Sequence, residues 1–182
     1  MKATAFNTFM ARVDAAEYGL CRRLNRGAAF AVPRRVLRLA SRLGDGLFWY
    51  VLILSLPLLY GAAALRPALV MALTGLLGVL IYKRVKQVFV RERPFITHTA
   101  IDPAAAPLDR YSFPSGHTLH AVSFAWQLSA HFPELAWVVL PLAALIAASR
   151  VVLGLHYPTD VLVGALLGAA SGLAGASLAT LA

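Results

Sequence analysis

The sequence is poor in charge, in acid and in cysteine. Only 14% of its 182 residues are charged, where an ordinary soluble domain carries about a quarter. With 59% hydrophobic residues and a mean hydropathy of +0.70, that shortage points away from water and towards the bilayer. Eight acids stand against 17 Lys and Arg, for a net charge of +9. Such basicity also fits nucleic-acid binding, but nothing here resembles a soluble recognition module, and no nucleic-acid partner is expected. Cys21 is the only cysteine, so no intrachain disulfide and no thiolate zinc site can form. The start lacks the apolar core of a cleavable signal peptide, and the first span is expected to act as its own insertion signal. Residues 1–46 also lack any apolar run of about 20 residues, the length that crosses a membrane. There is no internal repeat and no disordered tail.

What residues 1–46 do contain is nine Lys or Arg and three acids. Phe6, Phe9, Met10, Val13, Tyr18, Leu20, Leu24, Val36, Leu37, Leu39 and Leu43 are interleaved with the arginines. This pattern predicts one or two amphipathic helices on the membrane interface, broken near Asn25–Gly27 and at Pro33. A basic tract beside apolar spans faces the cytoplasm and its anionic lipids. Five spans are expected after it: Leu47 to Leu65, Pro67 into a helix that continues through Lys86, Ser115 to Phe132, Glu134 to about Leu153, and Pro158 to the C-terminus. The fold class is therefore all-α, an integral membrane bundle of about five helices. Its two parts are a basic interfacial segment (1–46) and a transmembrane domain (47–182). Gly164, Gly168 and Gly172, four residues apart, form a helix-packing face.

Chemistry concentrates in Lys86 to Pro94, Pro114 to His117 and Ser149 to Asp160. Each lies at the end of a predicted span, and antiparallel spans bring all three to one side of the membrane. Lys86 and Arg93 are seven residues apart and share a face if the helix persists. With Arg150 they can surround the oxygens of one phosphate. Ser115 and Gly116 follow Pro114 at a helix start, where free N–H groups favour an anion. His117, one residue on, suits a general acid. Asp160 lies four residues after His156 and can orient it for attack on phosphorus. The cations supply the electrostatics of phosphoryl transfer, so neither metal nor cofactor is expected. Lys83, Arg84 and Arg91 read as interface anchors, and His120 as a packing residue. Glu92 and Asp109 line the mouth of the basic pocket or balance its charge.

The joint pattern is Lys, six residues, Arg-Pro; then Pro-Ser-Gly-His; then Ser-Arg, five residues, His, three residues, Asp. It resembles the type 2 phosphatidic acid phosphatase superfamily, which includes lipid phosphatases and the vanadium haloperoxidases. The resemblance implies His156 as nucleophile, His117 as general acid and Asp160 as the partner of His156. It implies Lys86, Arg93, Ser115, Gly116 and Arg150 as the phosphate pocket. Membrane members typically have six spans and a site on the outer face. The five counted here, after a basic N-terminus, put the site on the cytoplasmic side; insertion of part of residues 1–46 would put it on the outer side.

The expected function is hydrolysis of a lipid phosphomonoester or diphosphate through a phosphohistidine, in a multi-pass protein of the bacterial inner membrane. Its partners are a lipid phosphate substrate and membrane lipids. A lipid-linked phosphotransferase is the alternative, and a non-catalytic lipid-phosphate binder a more distant one. The multispan character argues against a haloperoxidase.

Overall fold

The computed structural model describes residues 2–107 and 109–180, without the side chains of residues 2–7, 9 and 10. Phe6, Phe9 and Met10, assigned above to an amphipathic face, thus have side chains outside the described residues, as do Leu181 and Ala182 of the last predicted span. The described chain is helical: α1 Lys2–Asn25, α2 Ala31–Leu43, α3 Gly46–Tyr60, α4 Leu65–Val88, the single turn α5 Pro94–Thr97, α6 Gly116–His131, α7 Ala136–Val152 and α8 Pro158–Thr180. Among the described residues there is no strand, only one isolated antiparallel bridge between Glu92 and Tyr111.

The break after α1 lies at Arg26–Ala29, where expected, and the extended Phe30 starts α2. The second expected break is absent. Pro33 sits in the first turn of α2, where its missing N–H leaves no helical carbonyl unsatisfied. α3 stops at Tyr60, short of the expected Leu65, because Gly61 turns the chain with φ of 75°, a conformation that suits glycine. α4 has 24 residues, about 36 Å of helix. It is longer than the roughly 30 Å hydrocarbon layer, and Lys86 lies in its last turn.

Three helical segments are long and apolar enough to cross a membrane: Ala62–Val88, Pro133–Val152 and Pro158–Thr180. The pair α2 and α3, bent by 57°, makes a fourth if it forms one span. Their outward faces leave Leu58 87%, Trp137 87% and Leu54 73% exposed, surface that suits lipid and not water. α6 has only 16 residues, about 24 Å, and is the central post against which α4, α7 and α8 pack. Its Ala121, Phe124, Ala125 and Leu128 join Trp49, Leu56, Met71 and Ile146 in the main apolar cluster.

The glycine stripe of α8 packs on α6 within this chain. A Cβ on Gly164 would lie 2.6 Å from the Ser115 carbonyl oxygen, and one on Gly168 2.4 Å from that of Leu119. Glycine lets the two backbones approach this closely, and the approach holds the start of α8 against the start of α6. Polar glue lies deeper: Gln127 Nε2 donates to Thr74 Oγ1 at 2.9 Å, and Ser171 Oγ to Ser123 Oγ at 3.1 Å.

Candidate active site

All three chemistry-bearing stretches meet at one end of the bundle. α4 ends there with Lys86, α6 begins with Gly116 and His117, α7 ends with Arg150, and residues 153–157 turn the chain into α8 with His156 and Asp160. Gly154, at φ 74°, makes that turn possible: a Cβ would lie 2.9 Å from the Asp102 carbonyl and 2.8 Å from Ile101. The α2–α3 junction adds Gly44, Asp45 and Gly46. These elements enclose a cavity of about 480 Å³, with Lys86, Arg93, Gly116, His117, Arg150 and His156 in its polar wall. The remaining wall is mainly apolar, formed by α3 and α4 through Trp49, Ile53, Leu54, Ala72 and Leu76. Ala72 and Lys86 are about 21 Å apart along α4, so the cavity reaches from the polar end well into the bundle.

His156 is 2% exposed. Its Nε2 lies 3.1 Å from Arg93 Nη1. A guanidinium only donates, so Nε2 is the acceptor and carries the lone pair, which leaves the ring proton on Nδ1. Nδ1 faces Asp160 Oδ2 at 3.5 Å. Burial, and then the charges of Arg93, Arg150 and Lys86, push the imidazole well below its ordinary value, so the neutral ring is favoured at pH 7. Asp160 is fully buried. Its approach to His156 Nδ1 is not a hydrogen bond; Oδ2 accepts from the Tyr157 N–H at 2.8 Å, and Oδ1 from Arg91 Nη1 at 2.5 Å.

The cations converge, though not as expected. α4 ends at Val88, so Lys86 and Arg93 share no helical face. The chain folds back through the Glu92–Tyr111 bridge, and both side chains reach Asp109. Lys86 Nζ lies 2.8 Å from each carboxylate oxygen, and Arg93 Nη2 2.8 Å from Oδ1. Burial raises the Asp109 carboxyl, but the hydrogen bonds and charges of Lys86 and Arg93 outweigh it and hold the group below its ordinary range. Arg150 donates from Nη1 to Ser41 Oγ, while its buried Nε has no partner among the described residues, a donor open to an anion. An oxyanion binding Lys86 and Arg93 must displace Asp109, whose side chain is 41% exposed. Asp109→Asn is therefore expected to tighten inhibition by vanadate about 3- to 10-fold, the discounted value of a half-exposed ion pair. Weaker inhibition in a vanadate titration would mean that Asp109 is needed to hold the cations in place.

His117 Nε2 is paired with Asp45 Oδ1 at 2.8 Å, and both residues line the cavity. Gly116 and His117 occupy the first turn of α6, where N–H groups have no helical acceptor. Ser115 departs from its expected place in the phosphate pocket. Its hydroxyl caps α6 on Thr118, its N–H donates to the Asp160 carbonyl at 3.0 Å, and it does not line the cavity. Serine is a favoured N-cap, and that capping role takes up its polar groups here.

Residues 63–180 match the family described as the PAP2 superfamily. The chain belongs to the PAP2 superfamily. It is 34% identical over 116 residues to the undecaprenyl-diphosphatase BcrC of Bacillus subtilis, covering 62% of this chain and 58% of that one. It is 31% identical to a probable lipid phosphate phosphatase beta of Arabidopsis thaliana, covering 92% of this chain and 91% of that one. The fold superposes on the crystal structure of Aquifex aeolicus LpxE with a TM-score of 0.73 at 26% identity, over 89% of this chain and 95% of that one. PAP2 relatives are phosphatases and diphosphatases, and the resemblance read from the motifs is borne out.

Several groups around this PAP2 site escape a motif reading. Asp45, Ser41, Asp14 and Glu17 come from residues before the matched region, and Arg91 was classed as an anchor. The available signal was scarcity: residues 1–46 hold only three acids, and all three bond to side chains near the site. Lys83 and Arg84 are exposed, unlike Arg91. His120 has its Nδ1 2.9 Å from the Gly116 carbonyl and its Nε2 3.0 Å from that of Gly75, joining α6 to α4. His98 stacks on Tyr18 at 4.2 Å.

Proposed function

We propose that this PAP2 chain is a membrane-embedded lipid phosphatase that removes a terminal phosphate from a lipid phosphomonoester or diphosphate through a phosphohistidine, without metal. The observation that carries the reading is the cavity itself. Its polar end holds a buried His156 with its Nε2 against Arg93 and with Lys86 and Arg150 in the same wall, and its other walls are mainly apolar. A phosphate at the polar end leaves a lipid tail along α3 and α4. Nε2 attacks phosphorus, the P–O bond to the lipid breaks, and the leaving oxygen takes a proton from His117. Neutral His117 then takes a proton from water, whose oxygen attacks phosphorus. The P–N bond breaks, inorganic phosphate leaves, and both histidines are restored. Lys86, Arg93, Arg150 and the first-turn N–H groups of α6 balance the growing charge.

The experiment is phosphate release by purified protein from a panel of lipid phosphates and diphosphates in detergent, with and without EDTA. EDTA-insensitive release from one class supports the reading and names the substrate. Loss of release with EDTA would make the reaction metal-dependent. Phosphate transfer to an added alcohol in preference to water would favour the phosphotransferase.

Within this reading α3, α4, α6, α7 and α8 are five crossings, and α1 and α2 lie along the interface at the site end. The arginines of α1 and α2 then favour a site on the cytoplasmic side. Cys21 is buried, so a cysteine introduced at exposed Arg110 reports sidedness alone. It is expected to resist membrane-impermeant maleimide in intact cells and to react in inverted vesicles. The reverse pattern would put the site outside.

A further inference from the structure

Arg91 does not behave as an interface anchor. It is 3% exposed, and its donors are fully committed. Nε binds Asp14 Oδ1 at 2.8 Å, Nη2 binds Glu17 Oε2 at 2.8 Å, and Nη1 binds Thr159 Oγ1 at 2.7 Å and Asp160 Oδ1 at 2.5 Å. Its flat face lies 4.0 Å from the ring centre of Tyr157. Glu17 completes the clamp: Oε1 accepts from the Thr159 N–H and Oε2 from the Thr159 hydroxyl, both at 2.7 Å. Helix α1 is thereby fastened by both carboxylates to Arg91 and, through Glu17, to the first turn of α8.

Three carboxylates around one guanidinium are a costly way to dock a helix, since apolar packing would hold it at least as well. None of Arg91, Asp14, Glu17 and Asp160 lines the cavity, so the cluster does not hold substrate. Its output is the orientation of Asp160. With Oδ1 taken by Arg91 and Oδ2 by the Tyr157 N–H, the carboxylate is fixed with Oδ2 3.5 Å from His156 Nδ1, an electrostatic approach without a hydrogen bond.

We infer that Arg91, held by Asp14 and Glu17 of α1, is a positioning residue that aims Asp160 at His156 and so keeps the His156 lone pair on the Nε2 side. Helix α1 then serves the nucleophile through Arg91 and Asp160, although it precedes the residues matched to the family. The inference rests on His156 being that nucleophile, and the test separates the two.

The test uses the full chain in detergent with Glu17→Gln, Arg91→Gln, Asp160→Asn and the double variants. Glu17→Gln is expected to lower kcat about 10-fold, and Arg91→Gln about 100-fold, the scale of a small misplacement of a reacting group. KM should stay within about twofold, because neither residue touches the cavity. In the Asp160→Asn background each should change kcat less than about twofold, because its effect has already been lost. Full multiplicative losses in that background, or an unchanged kcat for Glu17→Gln, overturn the inference. Should Arg91→Gln fail to fold, the Glu17→Gln cycle decides, since glutamine keeps the volume and most of the hydrogen bonds. Ring nitrogen-15 spectra of histidine-labelled protein read the same aim without turnover. His156 is expected as the Nδ1–H tautomer in the wild type and as a mixture in Glu17→Gln; identical spectra overturn the inference. A wild type inactive on every lipid phosphate would count against the proposed function, while these spectra still decide the role of Arg91.

Discussion

His156→Ala is expected to reduce phosphate release by at least about 10³-fold, the scale seen when a covalent nucleophile is removed, while the protein keeps its fold and much of its affinity for substrate. The loss is large because nothing nearby can replace the imidazole. Arg93 and Arg150 have no lone pair to offer, His117 faces Asp45, and Asp109 is tied to two cations. Binding survives because Lys86, Arg93, Arg150 and the α6 N–H groups remain. KM or vanadate inhibition should therefore move far less than kcat. Two further measurements tie the loss to chemistry. An acid-labile phosphoryl label, trapped by rapid quench in the wild type, should be absent from the variant. Imidazole added to the variant should restore part of the rate by entering the space vacated at the cavity wall. More than about a tenth of wild-type turnover in the variant would remove His156 as nucleophile.

The parts of the site that were legible in the sequence are those whose position follows from helix ends. Gly116, His117, Arg150 and His156 sit at or next to the termini of apolar helices, and antiparallel packing suffices to gather them. The glycines of α8 were legible for a similar reason, because their four-residue period has one reading on a helix. What failed depends on chain reversal. The seven-residue spacing of Lys86 and Arg93 joins them only if the helix persists, whereas their meeting point is Asp109, sixteen residues beyond Arg93 in a segment with no periodicity. Arg91 looked like Lys83 and Arg84 because local composition does not reveal that α1 returns to cover it. Ser115 reads as a phosphate ligand in the sequence because an N-cap and an anion site share one signature. An expected span exceeds the observed helix where a single glycine ends it, as Gly61 does, whereas α6 keeps within one residue of its expected ends.

The second large effect concerns His117, and its size depends on which bond is broken. His117→Ala is expected to cost about 10² to 10⁴ in kcat on a lipid substrate, the range of general acid catalysis. A phosphomonoester releases a strongly basic alkoxide and should lie at the upper end. A diphosphate releases a phosphate whose second pKa is about 6 and should lie at or below the lower end. The loss thus reports substrate class as well as residue role. An activated aryl phosphate takes the argument one step further, because its leaving group needs no proton. The first turnover of His117→Ala on such a substrate should be nearly as fast as in the wild type. Hydrolysis of the phosphohistidine still needs a base to deprotonate water, and in this reading that base is the same His117. The variant should therefore release one equivalent of phenolate in a burst and then slow, with phosphoryl-enzyme accumulating. Asp45→Asn should show the same pattern more weakly, about 10-fold on the lipid, because the imidazolium loses the carboxylate that stabilises it. Equal losses on lipid and aryl substrates, with no burst, would mean that His117 shapes the pocket and carries no proton.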